Sequence, residues 1–172
     1  MFDTIFDVLG SAGVAPESTL LFLHSSKMRD PQTQKQVRNK VFLDALSSGY
    51  VNIYTACQDS KTLKMVEGDR KAKKPPMENI LVFVPVTHKG RILYRIHSLY
   101  EVKGVVHHVP ASEIPSDYPN RDHALSDDGF IYLRELPLPD GFDQGLIKKP
   151  GQNWHQYCMG WENKPSRFFI YK

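Results

Sequence analysis

The sequence predicts an α+β fold: a small, strongly curved, barrel-like β-sheet flanked by two or three helices, in a single domain over residues 1–172. Three observations lead there. Strand-like segments are short and joined by irregular connections. Helical spacing is concentrated on the N-terminal side. The order of elements lacks the steady strand–helix alternation of a doubly wound parallel sheet.

Residues 2–10 place Phe2, Ile5, Phe6 and Leu9 at helical spacing, with Gly10 and Gly13 as stops. "TLLFLHS" (19–25) is a compact apolar run with polar flanks, hence a buried strand. Residues 34–49 put Val37, Val41, Phe42 and Leu46 on one helical face before Gly49, and "YVNIYTA" (50–56) alternates like a strand. A Lys-rich loop follows and closes at Pro75 and Pro76. "NILVFVPVT" (79–87), the turn "HKGR" (88–91) and "ILYRIHSLYEVKGVVHHV" (92–109) form the clearest hairpin. Pro85 marks an edge or a bulge, and the second arm is one long bent strand or two, broken near Gly104. Residues 110–129 are a polar, proline-containing loop of the kind that often carries function. "FIYLREL" (130–136) and "RFFIYK" (167–172) complete the strands.

With 41% hydrophobic and 24% charged residues the chain has material for a proper core. No apolar run reaches the ~18 residues of a membrane span. The first residues carry Asp3 and Asp7 without early basic residues, unlike a secretory signal. Cys57 and Cys158 form no CxxC, which argues against a zinc site and a disulfide scaffold. The expectation is a cytoplasmic protein with reduced thiols and no cofactor.

Charge is uneven along the chain. Residues 61–74 hold Lys61, Lys64, Arg70, Lys71, Lys73 and Lys74 against Glu67 and Asp69. Residues 27–40, which include Lys27 and Arg29, hold five basic side chains against one acid. One such run is often only a solvated loop, but two in one half of a small domain suit a phosphate backbone.

Catalytic sets are weak. Glu101 and Lys103 form an E-x-K pair on a predicted strand, the arrangement with which restriction-type nucleases bind Mg²⁺ and orient water. The upstream acids, Asp69 and Glu78, are poor partners, and residues two apart on a strand simply share a face. The adjacent His107 and His108 point to opposite faces, and the other histidines are scattered singly. Ser25, Ser26 and Ser98 have no nucleophile-elbow context, and no Gly-rich phosphate loop occurs.

Aromatics offer more. "NWHQYCMGWENKP" (153–165) contains both tryptophans, and Tyr50, Tyr54, Tyr94, Tyr100 and Tyr157 lie in or beside strands. Their polar neighbours include Gln58, Ser98, Asn153 and Asn163. A base removed from a duplex needs flat faces, worth about 1–3 kcal/mol per stacked base. It also needs donors and acceptors for its Watson–Crick edge, and amides supply both. The competing expectation is that the tryptophans pack the core with their N–H groups satisfied internally.

The order of these features, "LLFLHSSK", a helix, "YVNIYTACQDSK", a hairpin ending "LYEVKG", a late strand and a Trp-containing tail, resembles the PUA-like superfamily of nucleic-acid readers, which includes the SRA, EVE and YTH domains. It is most similar to the EVE-like modules found ahead of GIY-YIG or HNH nuclease domains, over most of residues 19–172. The resemblance implies a curved, barrel-like sheet holding a base, often a modified one, in an aromatic pocket. It implies double-stranded DNA with a modified, cytosine-derived base as partner, and the role of specificity module in a modification-dependent restriction system, with a fused or associated nuclease domain and no membrane. Tyr54 and Gln58 match the family's "YQ"-like region, and Tyr100 closes the hairpin that borders the pocket. Trp154, Trp161, Ser98 and Asn163 are pocket candidates on their chemistry. Lys27, Arg29, Lys61, Lys64, Arg70, Lys71, Lys73 and Lys74 are the phosphate-binding candidates. No nuclease signature follows the domain. The alternatives are a small Mg²⁺-dependent nuclease using Glu101 and Lys103, and an RNA reader of the same fold.

Overall fold

The computed structural model describes residues 4–23, 50–52, 61–107, 112, 116, 129–140, 142, 146–148, 156–158 and 170–171. The helix expected over 34–49 and most of the loop at 110–129 lie outside them. The described elements are helix α1 (Ile5–Ser11), a 3₁₀ turn (Pro16–Ser18), β1 (Thr19–Leu23), β2 (Tyr50–Asn52), helix α2 (Lys61–Glu67), β3 (Asn79–His88), β4 (Arg91–His107), β5 (Gly129–Leu136), β6 (Leu146–Ile147), β7 (Gln156–Cys158) and β8 (Ile170–Tyr171). The fold is α+β with a core that is mostly sheet.

The strands run β2-β5-β4-β3-β1-β7, with β6 pairing β4 and β8 pairing β6. The path ends at β2 and β7, so the described strands form a sheet that is not closed. Among the described strands only β1 and β3 pair in parallel. All five β1 residues are buried, as in a strand covered on both faces.

Cross-strand register assigns side chains to faces. Leu21, Leu81, Leu99 and Leu136 make one row across β1, β3, β4 and β5. They pack with Ile5, Val8 and Leu9 of α1. Thr4 sets where α1 begins: its hydroxyl accepts from the Asp7 N–H at 3.2 Å, and Asp7 accepts from the Thr4 N–H at 3.0 Å. This reciprocal capping box starts the helix at Ile5, later than hydrophobic spacing alone predicts.

The opposite face carries Leu20, Phe22, Ile80, Val82, Tyr100, Ile131 and Leu133, packed with Val66 of α2 and with Met77. Here the structure corrects the Lys-rich loop expected over 61–74. Its first half is α2, because Met65 and Val66 have this apolar face to pack against. Gly68, at φ +76°, ends the helix in the left-handed conformation while its N–H donates to the Lys64 carbonyl at 2.9 Å.

The hairpin forms as expected. Lys89 and Gly90 both have positive φ, the requirement of a two-residue type I′ turn. Pro85 costs no bond to β1, since the β1–β3 pairing ends at Phe83. β4 is one strand of 17 residues with two register shifts, opposite Val82/Phe83 and at Val102/Gly104. Of the one-strand and two-strand expectations, the first holds: β4 continues through Gly104, where the second register shift falls. No described helix is long and apolar enough to cross a membrane.

Because Leu81 is fully buried between Leu21 and Leu99, Leu81→Ala removes buried methyl groups from a site with little room to collapse. The expected loss is about 2–5 kcal/mol, read from a urea midpoint that falls with an unchanged slope.

Candidate nucleic-acid interface

The basic stretch is a built turn rather than a loose tail. Asp69 and Lys74 exchange backbone hydrogen bonds, each 2.8 Å, as an antiparallel bridge. The Asp69 carboxylate accepts from the Lys71 N–H at 3.0 Å and the Ala72 N–H at 3.2 Å. Lys73 occupies the left-handed region at φ +55°. Gly68 sits beneath the bridge, where a Cβ would come within 2.6 Å of the Lys74 carbonyl oxygen. The base is tied to α2 and the 3₁₀ turn, since the Met77 N–H donates to Val66 and the Glu78 N–H to Ser18, and to β4, since the Val102 N–H donates to Glu78, all at 2.8 Å.

Arg70, Lys71, Lys73 and Lys74 are therefore displayed together, exposed, on a backbone already ordered. Lys64 is exposed on α2 just before them, and Lys61 opens that helix. Clustered cations on an ordered turn favour a polyanion, and ordering beforehand lowers the conformational cost of binding it. Lys27 and Arg29 lie outside the described residues.

Of the expected aromatic pocket, Tyr54, Gln58, Trp154, Trp161 and Asn163 also lie outside the described residues. Ser98 and Tyr100 are described and are only 1% and 3% exposed. Tyr100 belongs to the apolar cluster under α2, so its ring serves the core and offers no stacking face. Burial raises its pKa, and a hydrogen bond with Ser98 partly offsets this. His97, at the first register shift of β4, places Nδ1 2.8 Å from Ser98 Oγ. Although His97 is exposed overall, its surroundings desolvate the ring and push its pKa below 6.5. Arg95 adds to this and Glu135 opposes it.

The E-x-K pair has a partner that sequence spacing does not reveal. Glu101 stands opposite Arg134 of β5, with Arg134 Nη2 2.5 Å from Glu101 Oε2. Lys103 Nζ is 3.7 Å from Oε1. Oε2 is closed to solvent and no donor is aligned on it as a hydrogen bond, so the contact with Arg134 is an ion pair. Sequence alone offers no signal for this pairing, because it depends on which strand lies beside β4. Among the described residues no three His, Cys, Asp or Glu side chains gather as a metal site.

Compared with known protein families, with curated proteins and with solved structures, the chain matches none.

Two measurements test this geometry. Gly68→Ala forces a side chain into left-handed backbone and against Lys74, and is expected to cost at least about 1–2 kcal/mol in urea unfolding. His97 has a lowered folded-state pKa, so the unfolded chain binds more protons as pH drops. Stability is then fully present above pH 6.5 and declines as pH falls from there toward the folded value. His97→Gln should flatten that part of a melting-temperature profile against pH.

Proposed function

We propose that this chain is a DNA-binding module of PUA-like type. It draws one modified, cytosine-derived base out of a duplex and holds it among aromatic side chains. In this reading it supplies specificity to a modification-dependent restriction system, and a fused or associated nuclease domain does the cutting. The barrel-like PUA architecture belongs to the same proposal.

The observation that carries the reading is the ordered basic turn at residues 68–74. Its cations are pinned by a backbone bridge, a capped carboxylate and a glycine that no other residue replaces without strain. Such a feature holds phosphates in place without reading sequence. Sequence or modification must then be read elsewhere on the domain, by base contacts.

The nuclease alternative loses ground at Glu101. A guanidinium already neutralises its Oε2, and Lys103 lies beside Oε1, so a divalent ion would have to displace both. Incubation with plasmid and Mg²⁺ decides the point: cleavage that Glu101→Ala abolishes would overturn the reader assignment.

Binding titrations at fixed salt should compare plain duplex, cytosine-modified duplex and single-stranded RNA. The modified duplex is expected to bind tightest, while preference for RNA would reassign the partner. Replacing Lys71, Lys73 and Lys74 with Ala should weaken binding to every sequence alike. It should also flatten the salt dependence by about 0.9 in log–log slope for each phosphate no longer neutralised. A change in modified-versus-plain discrimination instead would give the turn a different role.

A further inference from the structure

The face that carries the leucine row turns polar one step beyond it. The next register position to be filled on that face runs Thr19, Asn79, Glu101 and Arg134 across β1, β3, β4 and β5. Beyond Arg134, Tyr132 stands opposite Gly104 on one side and Tyr50 of β2 on the other. β4 carries one extra residue here, Lys103, between the positions that pair with Leu133 and Tyr132. Its contact with Glu101 Oε1 places the Lys103 side chain on this same face.

Gly104 leaves open space on this face. A Cβ built there would meet no atom within 4 Å, and its φ is not in the left-handed region, so no backbone requirement calls for glycine. Glycine inside a strand often marks a bulge or the close approach of a ligand, and bulges re-aim side chains beside functional sites. Around this open space stand half-buried Tyr132, Arg134 with a 64% exposed side chain, and Lys103 with a 54% exposed one. Glu101 lies between the two cations with its closed-off Oε2 against Arg134. Its contact with the guanidinium is an ion pair at Nη2, one of the nitrogens that carry the five N–H donors of an Arg.

We propose that the open space over Gly104 receives one nucleotide of the bound strand. The base lies against Tyr132, and its phosphate is held by Arg134 and Lys103. Glu101 is a positioning residue that fixes the guanidinium. The proposal rests on the reading of this chain as a nucleic-acid binder and adds where a nucleotide is gripped. The open space is distinct from the basic turn, which follows α2 on the opposite face. Both nevertheless lie at the end of the sheet where β3 begins, because Glu78 and Asn79 join the turn to the polar row. A strand passing around that end meets both cation groups.

The test is fluorescence anisotropy with short labelled duplexes, plain or carrying one 5-hydroxymethylcytosine, alongside the same sequences as single-stranded DNA and RNA. Gly104→Leu fills the open space and should lower affinity for the best-bound probe at least tenfold while leaving the urea midpoint in place. Gly104→Ala serves the same purpose should the larger side chain disturb folding. Tyr132→Ala should lower affinity roughly five- to a hundredfold, the worth of one stacked base, and Tyr132→Phe should restore it. Arg134→Gln should reduce the log–log salt slope by about 0.9, and Glu101→Gln should weaken binding while leaving that slope in place. If these variants bind like wild type while the Lys71, Lys73 and Lys74 triple variant binds more weakly, the site over Gly104 is refuted and the reader stands. A wild-type chain that binds none of the probes removes both.

Discussion

The β3–β4 register is the constraint on which the rest of the molecule depends. The sheet is packed on both faces, by α1 on one and by α2 with Met77 on the other. A slip of β4 by one residue would send Leu99 to the α2 side and Tyr100 to the α1 side while Leu81 and Ile80 of β3 stayed in place. Neither cluster could then close. β4 pairs with β3 over Arg91–Glu101 with one extra residue, His97, and with β5 over Leu99–His107 with another, Lys103. The apolar alternation thus survives while two side chains escape it.

Those insertions also determine which surfaces are available for chemistry. The first turns His97 toward Ser98 on the α2 side. The second gathers Lys103, Glu101 and Arg134 around a glycine, next to a tyrosine. An ion pair with an Arg this exposed contributes only about 0–1 kcal/mol to stability. Its consequence is geometric, since it sets where a guanidinium stands. The E-x-K pattern is therefore one part of a cross-strand cation arrangement in the folded protein, and the two residues do not act alone.

The basic turn and the polar row share a mechanical origin. Both begin where the chain leaves α2 and enters β3, a passage fixed by backbone bonds from Met77 to Val66, from Glu78 to Ser18 and from Val102 to Glu78. Positive charge is thereby mounted on a part of the fold tied to the core. Surface charges on mobile side chains are screened within about 8 Å at physiological salt. Cations held at fixed positions around one end of a sheet can match successive phosphates, where scattered ones contribute only net charge.

Residues 19–23 and 79–107 are legible from the chain because strand alternation, the Lys89–Gly90 turn and the interruption at Gly104 are local properties. The cations of 70–74 are equally plain, since charge needs no partner to be counted. The helical half of the Lys-rich segment is not: seven residues with few apolar positions become a helix only when a sheet face receives Met65 and Val66. Tyr100 passes for a pocket residue in the sequence because an aromatic on a strand gives no sign of which face it takes. The pairing of Arg134 with Glu101 and of Tyr132 with Gly104 is beyond any local reading. Sequence determined which segments extend, turn and carry charge, because those depend on neighbours along the chain. Only the tertiary structure decided which strands lie side by side, and so which distant residues share one face, because strand order is settled by burying two apolar surfaces at once.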